Sequence, residues 1–130
     1  MPLDPEDTLA IHALYAHYNH AVHEGRGDLW AGCFVADGRF SNARESVHGA
    51  EALARYAAAF SAGGNARYWI DNLVLAATPG GAEGSCYLML LHIADGAQPP
   101  TINLTGIYTD TLVEDGGEWK FATRHIERDG

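Results

Sequence analysis

The strongest constraint on this chain is a change of periodicity near residue 65. Before it, apolar residues recur at helical spacing; after it, β-branched and aromatic runs are separated by turn signals. Asp4-Pro5-Glu6-Asp7 is a helix start, with Asp4 as cap, Pro5 at the first helical position and acids in the first turn. Leu9, Ile11, Leu14, Tyr15, Tyr18 and Val22 then fall on one helical face, and Gly25 and Gly27 end the helix. Asp28 is expected to cap a short second helix carrying Leu29, Trp30, Cys33 and Phe34, followed by a turn at Asp37-Gly38. Arg39-Phe40-Ser41 begins a short strand that returns through Ser46-Val47-His48. Gly49 opens a third helix, 50–60, with Leu53, Tyr56, Ala57 and Phe60 on one face. Strands are predicted at 67–77, 82–93, 101–113 and 118–127, divided by Pro79-Gly80-Gly81, a loop from Asp95-Gly96 to Pro99-Pro100, and Asp115-Gly116-Gly117. Helices followed by a meander of strands make an α+β domain with an antiparallel sheet, one domain over residues 1–130.

Composition narrows the function. Hydrophobic residues make up 47% of the 130 and charged residues 19%, enough apolar matter for a core without staples. The net charge of −9 repels phosphate backbones and anionic lipid, so neither nucleic acid nor membrane is an expected partner. Cys33 and Cys86 sit in apolar runs and read as reduced, buried thiols. The acidic N-terminus lacks the apolar run of a secretory leader, and no stretch is long enough to span a bilayer, so a cytoplasmic location is expected. There is no phosphate loop, dinucleotide fingerprint or serine elbow, and no cofactor is expected. His17, His20 and Glu24 have metal-type spacing but point away from the apolar helix face, so no metal site is expected.

Several motifs in order resemble a known family. They are Leu14-Tyr15 with Tyr18 and Ala21-Val22; Gly27-Asp28-Leu29-Trp30; Phe34 to Asp37-Gly38; and His48-Gly49. Arg67-Tyr68-Trp69-Ile70-Asp71-Asn72, Thr105-Gly106-Ile107-Tyr108-Thr109-Asp110, and Trp119-Lys120-Phe121 with Arg124 continue the pattern. Together they resemble SnoaL-like domains of the nuclear transport factor 2-like superfamily, over nearly the whole chain. The resemblance implies a cone: three N-terminal helices packed on a strongly curved, mostly antiparallel sheet, with a pocket at the wide end. Relatives include scytalone dehydratase, ketosteroid isomerase and polyketide cyclases, most of which move protons on apolar ring compounds without a cofactor. Others, the small subunits of ring-hydroxylating dioxygenases, are largely structural, so fold alone does not fix function.

Strand alternation combined with that resemblance assigns the cavity side to Tyr68, Ile70 and Asn72, to Tyr87, Met89 and Leu91, to Leu104, Gly106 and Tyr108, and to Ala122 and Arg124. Trp69, Asp71, Cys86, His92 and Thr105 go to the opposite face, where the resemblance implies a homodimer contact through the convex sheet surface. His23, at the end of the first helix, is the expected proton carrier, since imidazole titrates near neutrality. Tyr68 stands where dehydratase-like relatives carry a histidine, and Tyr87 where they carry another; each is expected to polarise a substrate oxygen. Tyr18, Trp30, Phe34, Phe40, Tyr56, Phe60, Met89, Leu91 and Tyr108 would shape the cavity. Asn72 either orients a ligand or bonds a neighbouring strand. Arg124 either holds a substrate carboxylate or pairs with an internal acid such as Asp37. The expected function is a cofactor-free lyase or isomerase on a small apolar cyclic substrate; the competing one is a non-catalytic binding or assembly module.

Overall fold

The computed structural model describes residues 3–59, 65–96 and 98–130. Helix α1 spans Pro5–His23; Asp4 caps it, its carboxylate accepting the Asp7 N–H at 2.8 Å, and Gly25 leaves it with a φ of 69°. Helix α2 is shorter than expected, Gly27–Ala31, and Asp28 lies within its first turn rather than at its cap. Phe34 therefore starts a strand, β1 (Phe34–Ser41), and the turn expected at Asp37-Gly38 is a bend within that strand, which brings Gly38 back against Phe34. An irregularity between Phe34 and Arg39 absorbs the extra residues against its neighbour. Strand β2 (Ser46–His48) returns, and helix α3 (Ala50–Ala57) follows; the expected extension to Phe60 lies outside the described residues. Strands β3 (Ala66–Thr78), β4 (Gly81–His92), β5 (Thr101–Asp115) and β6 (Glu118–Arg128) match the predicted runs within two residues at each end.

The six strands form one sheet in the order β2-β1-β6-β5-β4-β3. All neighbours are antiparallel except β1 and β6, so the fold is α+β with a mostly antiparallel sheet. The β1–β2 hairpin enters between α2 and α3, so the helices do not all precede the sheet.

Helix α1 packs against both β6 and β3, which are three strand spacings apart. On a flat sheet that is about 14 Å, more than the roughly 10–12 Å diameter of a helix with its side chains. The sheet must bend round the helix for both contacts to form. Ile11, Tyr15, Tyr18 and Ala21 are the residues α1 buries, against Leu88, Leu112 and Phe121 among others.

The inward faces differ from expectation in three strands. On β3, an irregularity between Asp71 and Val74 leaves Asn72 exposed and turns Leu73 and Leu75 inward after Tyr68 and Ile70. On β4, Cys86, Leu88 and Leu90 are buried, while Tyr87 is 55% exposed; Tyr87, Met89 and Leu91 point outward. Every residue from 86 to 91 is compatible with a core, so alternation carries no parity there, and a one-residue slip exchanges the faces. On β6, an irregularity opposite Thr111/Leu112 takes up Ala122, so that both Phe121 and Arg124 turn inward.

Candidate functional site

The interior carries a charged pair. Asp110 and Arg124 are direct cross-strand partners on β5 and β6, with side chains fully buried. Arg124 Nε lies 3.1 Å from Asp110 Oδ1, and the Tyr15 hydroxyl donates to Asp110 Oδ2 at 2.5 Å. The partner of Arg124 is thus Asp110, not the exposed Asp37. The guanidinium carbon sits 3.5 Å from the Tyr108 ring centroid and 4.3 Å from that of Tyr18. Aromatic faces thereby supply some of the stabilisation that water gives an exposed cation. Burial raises the Asp110 carboxyl above its ordinary range, although Arg124 and the Tyr15 hydrogen bond pull it down. Burial also raises the hydroxyls of Tyr15, Tyr18, Tyr68 and Tyr108, so all four are protonated donors at neutral pH. The free thiols of Cys33 and Cys86 are pushed up to about 11 by burial, which leaves them inert.

Above Tyr15 lies a cleft of about 660 Å³ between one stripe of α1 and strand β3. His12, Ala16, Asn19, His20 and His23 come from the helix, spaced so that they share a side. Arg67 to Leu73 form the other wall. His23 is part-buried, its Nδ1 3.2 Å from the carbonyl oxygen of Ala66. A carbonyl only accepts, so this bond places the proton on Nδ1 and leaves the Nε2 lone pair of the neutral ring available. The bond also ties the imidazole two residues before Tyr68, which lines the same cleft. The Asn19 amide oxygen is buried without a hydrogen-bond partner. Asn72 sits at the irregularity between Asp71 and Val74 with a φ of 57°; its N–H bonds the Asp71 carboxylate at 2.8 Å, and it lines the far wall.

The other expected site residues fall elsewhere. Tyr18 and Tyr108 are buried in the cage around Arg124, and Trp30 donates to the Tyr18 hydroxyl. Trp30, Phe34, Phe40 and Tyr56 pack against one another, with Trp30 centroids 5.0 Å from Phe34, 5.6 Å from Phe40 and 5.8 Å from Tyr56. Phe60 lies outside the described residues. Tyr87 and Met89 line a second, smaller groove of about 340 Å³ on the outer sheet face, so Tyr87 is divided from His23 by the sheet itself. Sequence reasoning missed Tyr15, Asn19 and Asp110. The period-2 run Tyr108, Asp110, Leu112 was the signal for Asp110: an acid between two core residues on an inward face needs a partner. Among the described residues, no three His, Cys, Asp or Glu side chains converge as metal ligands. No helix among them is long and apolar enough to cross a membrane.

A mostly antiparallel sheet bent round a long first helix, with a lateral cleft beside it, is the nuclear transport factor 2-like architecture. The chain belongs to the SnoaL-like domain family, whose model matches residues 4–125. It is similar to a Mycobacterium tuberculosis protein of unknown function, with 28% identity, a TM-score of 0.87, and 97% of this chain and 78% of that one covered. Aln2 from a Streptomyces species is 25% identical with a TM-score of 0.89, over 99% of this chain and 95% of that one. A putative scytalone dehydratase from Novosphingobium aromaticivorans shares the fold at 21% identity and a TM-score of 0.80, over 95% and 84% of the two chains. No curated protein sequence matches the chain.

Proposed function

We propose that this chain is a cofactor-free acid/base enzyme, a lyase or isomerase of the dehydratase or cyclase kind. Its substrate is a small, largely apolar cyclic compound bound between α1 and β3. The observation that carries the reading is the anchored His23 imidazole on the helix wall of the cleft whose strand wall carries Tyr68. The family supports it, because SnoaL-like and related folds include cofactor-free isomerases, dehydratases and cyclases.

In this scheme His23 Nε2 takes a proton from the carbon next to a substrate carbonyl. The Tyr68 hydroxyl donates a hydrogen bond to the oxygen as negative charge gathers on it. The imidazolium then returns the proton, either to another carbon, giving an isomer, or to a leaving hydroxyl that departs as water. The exchange of a carbon-bound proton with solvent is a direct readout. Wild-type protein is expected to accelerate deuterium uptake by 2-tetralone in heavy water. His23→Ala should lose about 10²–10⁴-fold of that acceleration, and Tyr68→Phe about 10²–10³-fold. Wild-type rates in both variants would refute the assignment.

The competing reading, a binding module without turnover, draws on the outward position of Tyr87, which leaves two of the three expected polar groups at the cleft. It requires that wild type bind 2-tetralone without accelerating exchange. Under either reading we place a homodimer contact on the outer face of β3, β4 and β5. Trp69, Tyr87 and Ile107 are 56%, 55% and 41% exposed there, a grouping of large apolar side chains of the kind that marks an interface.

A further inference from the structure

The cleft is electrostatically unlike the molecule that contains it. The chain as a whole carries a net charge of −9. Three histidines, His12, His20 and His23, line the helix side of the cleft, and Arg67 and a single carboxylate, Asp71, which alternate with Trp69 on the outer face of β3, border it along the open edge of that strand. Asp71 already accepts the N–H of Asn72, and among the described residues Arg67 has no ion-pair partner. An acidic protein that leaves an arginine unpaired at the mouth of its cleft has placed there a charge that an anion can use.

The cleft is also polarised along its length. His23 touches Ala66, at the start of β3, while His12 shares a second small hollow with Leu73 and Leu75. Helix α1 therefore runs antiparallel to β3. His20, His23 and Arg67 gather where the strand begins, and Ala16, Ile70 and Leu73 make the stretch beyond them apolar.

Backbone donors face the same space. Strand β3 is an edge strand, and the Ile93 N–H bonds the Asn65 carbonyl. With Ala66 opposite His92, the bonded positions toward β4 are 65, 67, 69 and 71. The N–H groups of Tyr68 and Ile70 consequently point to the open edge beside α1, as the Ala66 carbonyl does when it meets His23. Asn19 adds an amide whose buried oxygen is unpartnered. A half-turn of that amide presents Nδ2 instead, a donor in the same place.

We propose that the compound bound in this cleft carries a carboxylate, held by Arg67 and His20 at the β3-start end, with its ring lying along Ile70 and Leu73. This rests on the reading of the cleft as the substrate site and names the substrate class for it. Guanidinium–carboxylate pairing supplies orientation as well as attraction, and it would set one end of the ring beside His23.

The test compares 1-naphthoate with 1-naphthamide, which share a ring and differ in charge, by titration against the full chain with amide chemical shifts as readout. The acid is expected to bind about ten-fold tighter than the amide, and Arg67→Gln to weaken acid binding by about ten-fold. Arg44→Gln, exposed in the β1–β2 turn, serves as the charge-matched control and should bind the acid like wild type. Equal affinity for the two compounds, binding of neither, or an acid preference that survives both Arg67→Gln and His20→Gln would overturn the proposal. If His23-dependent exchange of the neutral 2-tetralone persists in that event, the acid/base reading stands and the charge assignment alone falls.

Discussion

Arg124 and Asp110 are the residues on which the interior most depends. Each ion is buried to the point that removing its partner leaves a charge with no water to receive it. Arg124→Met or Asp110→Asn is expected to cost about 3–5 kcal/mol in urea-denaturation midpoints converted to free energy. The double variant Asp110→Leu/Arg124→Met should lose less than either single change, because it strands no ion; a loss equal to the sum would show that the two sites act independently. Acid should help the arginine variant. Asp110 is held above its ordinary range by burial, and Arg124 is the main influence lowering it. A carboxyl raised in the folded state favours folding below its unfolded pKa, and that contribution is lost as pH rises through the folded value. Without Arg124 the folded value rises further, so the deficit of Arg124→Met relative to wild type should shrink as pH is brought down towards about 4.

At the level of elements, the meeting of α1 with the sheet is set by a glycine. Gly84 faces inward on β4, and a Cβ there would stand 2.6 Å from the Tyr15 hydroxyl and 3.0 Å from Leu75. That hydroxyl cannot swing away without leaving Asp110. Gly84→Ala is expected to destabilise by about 1–3 kcal/mol, whereas Gly80→Ala, with open space around it, should stay close to wild type in the same thermal melts. The helix and strand boundaries were largely legible because caps, turn glycines and periodicity are local signals: Asp4, Pro5, Gly25, Gly49 and Gly116-Gly117 all mark what they promised. Two features were not. Phe34 belongs to a strand because Phe121 of β6 pairs with it from far along the chain, and residues 35–38 form the irregularity between that pair and the next, Arg39 with Thr123, which no local feature reveals. The face of β4 was unreadable because both of its faces are apolar.

For the molecule as a whole, the outer sheet face is where assembly would show. Wild type is expected to sediment as a dimer at micromolar concentration and Trp69→Glu as a monomer, since a charge at the centre of an apolar contact strands that ion on association. A monomeric wild type would remove the interface. The order of elements and the family pattern could be read from residues in a line, because caps, turns and short motifs depend on neighbours within a few positions; His23 and Tyr68 became candidates through the resemblance that this pattern carries. The pairing of Arg124 with Asp110, the loss of Tyr87 to the other face, and the alignment of Asn19, His20 and His23 with the open edge of β3 depend on strand register and on how the sheet bends round α1. Those are contests among distant segments for the same buried space. They are settled by packing once the chain has closed on itself, a step that no stretch of sequence encodes alone.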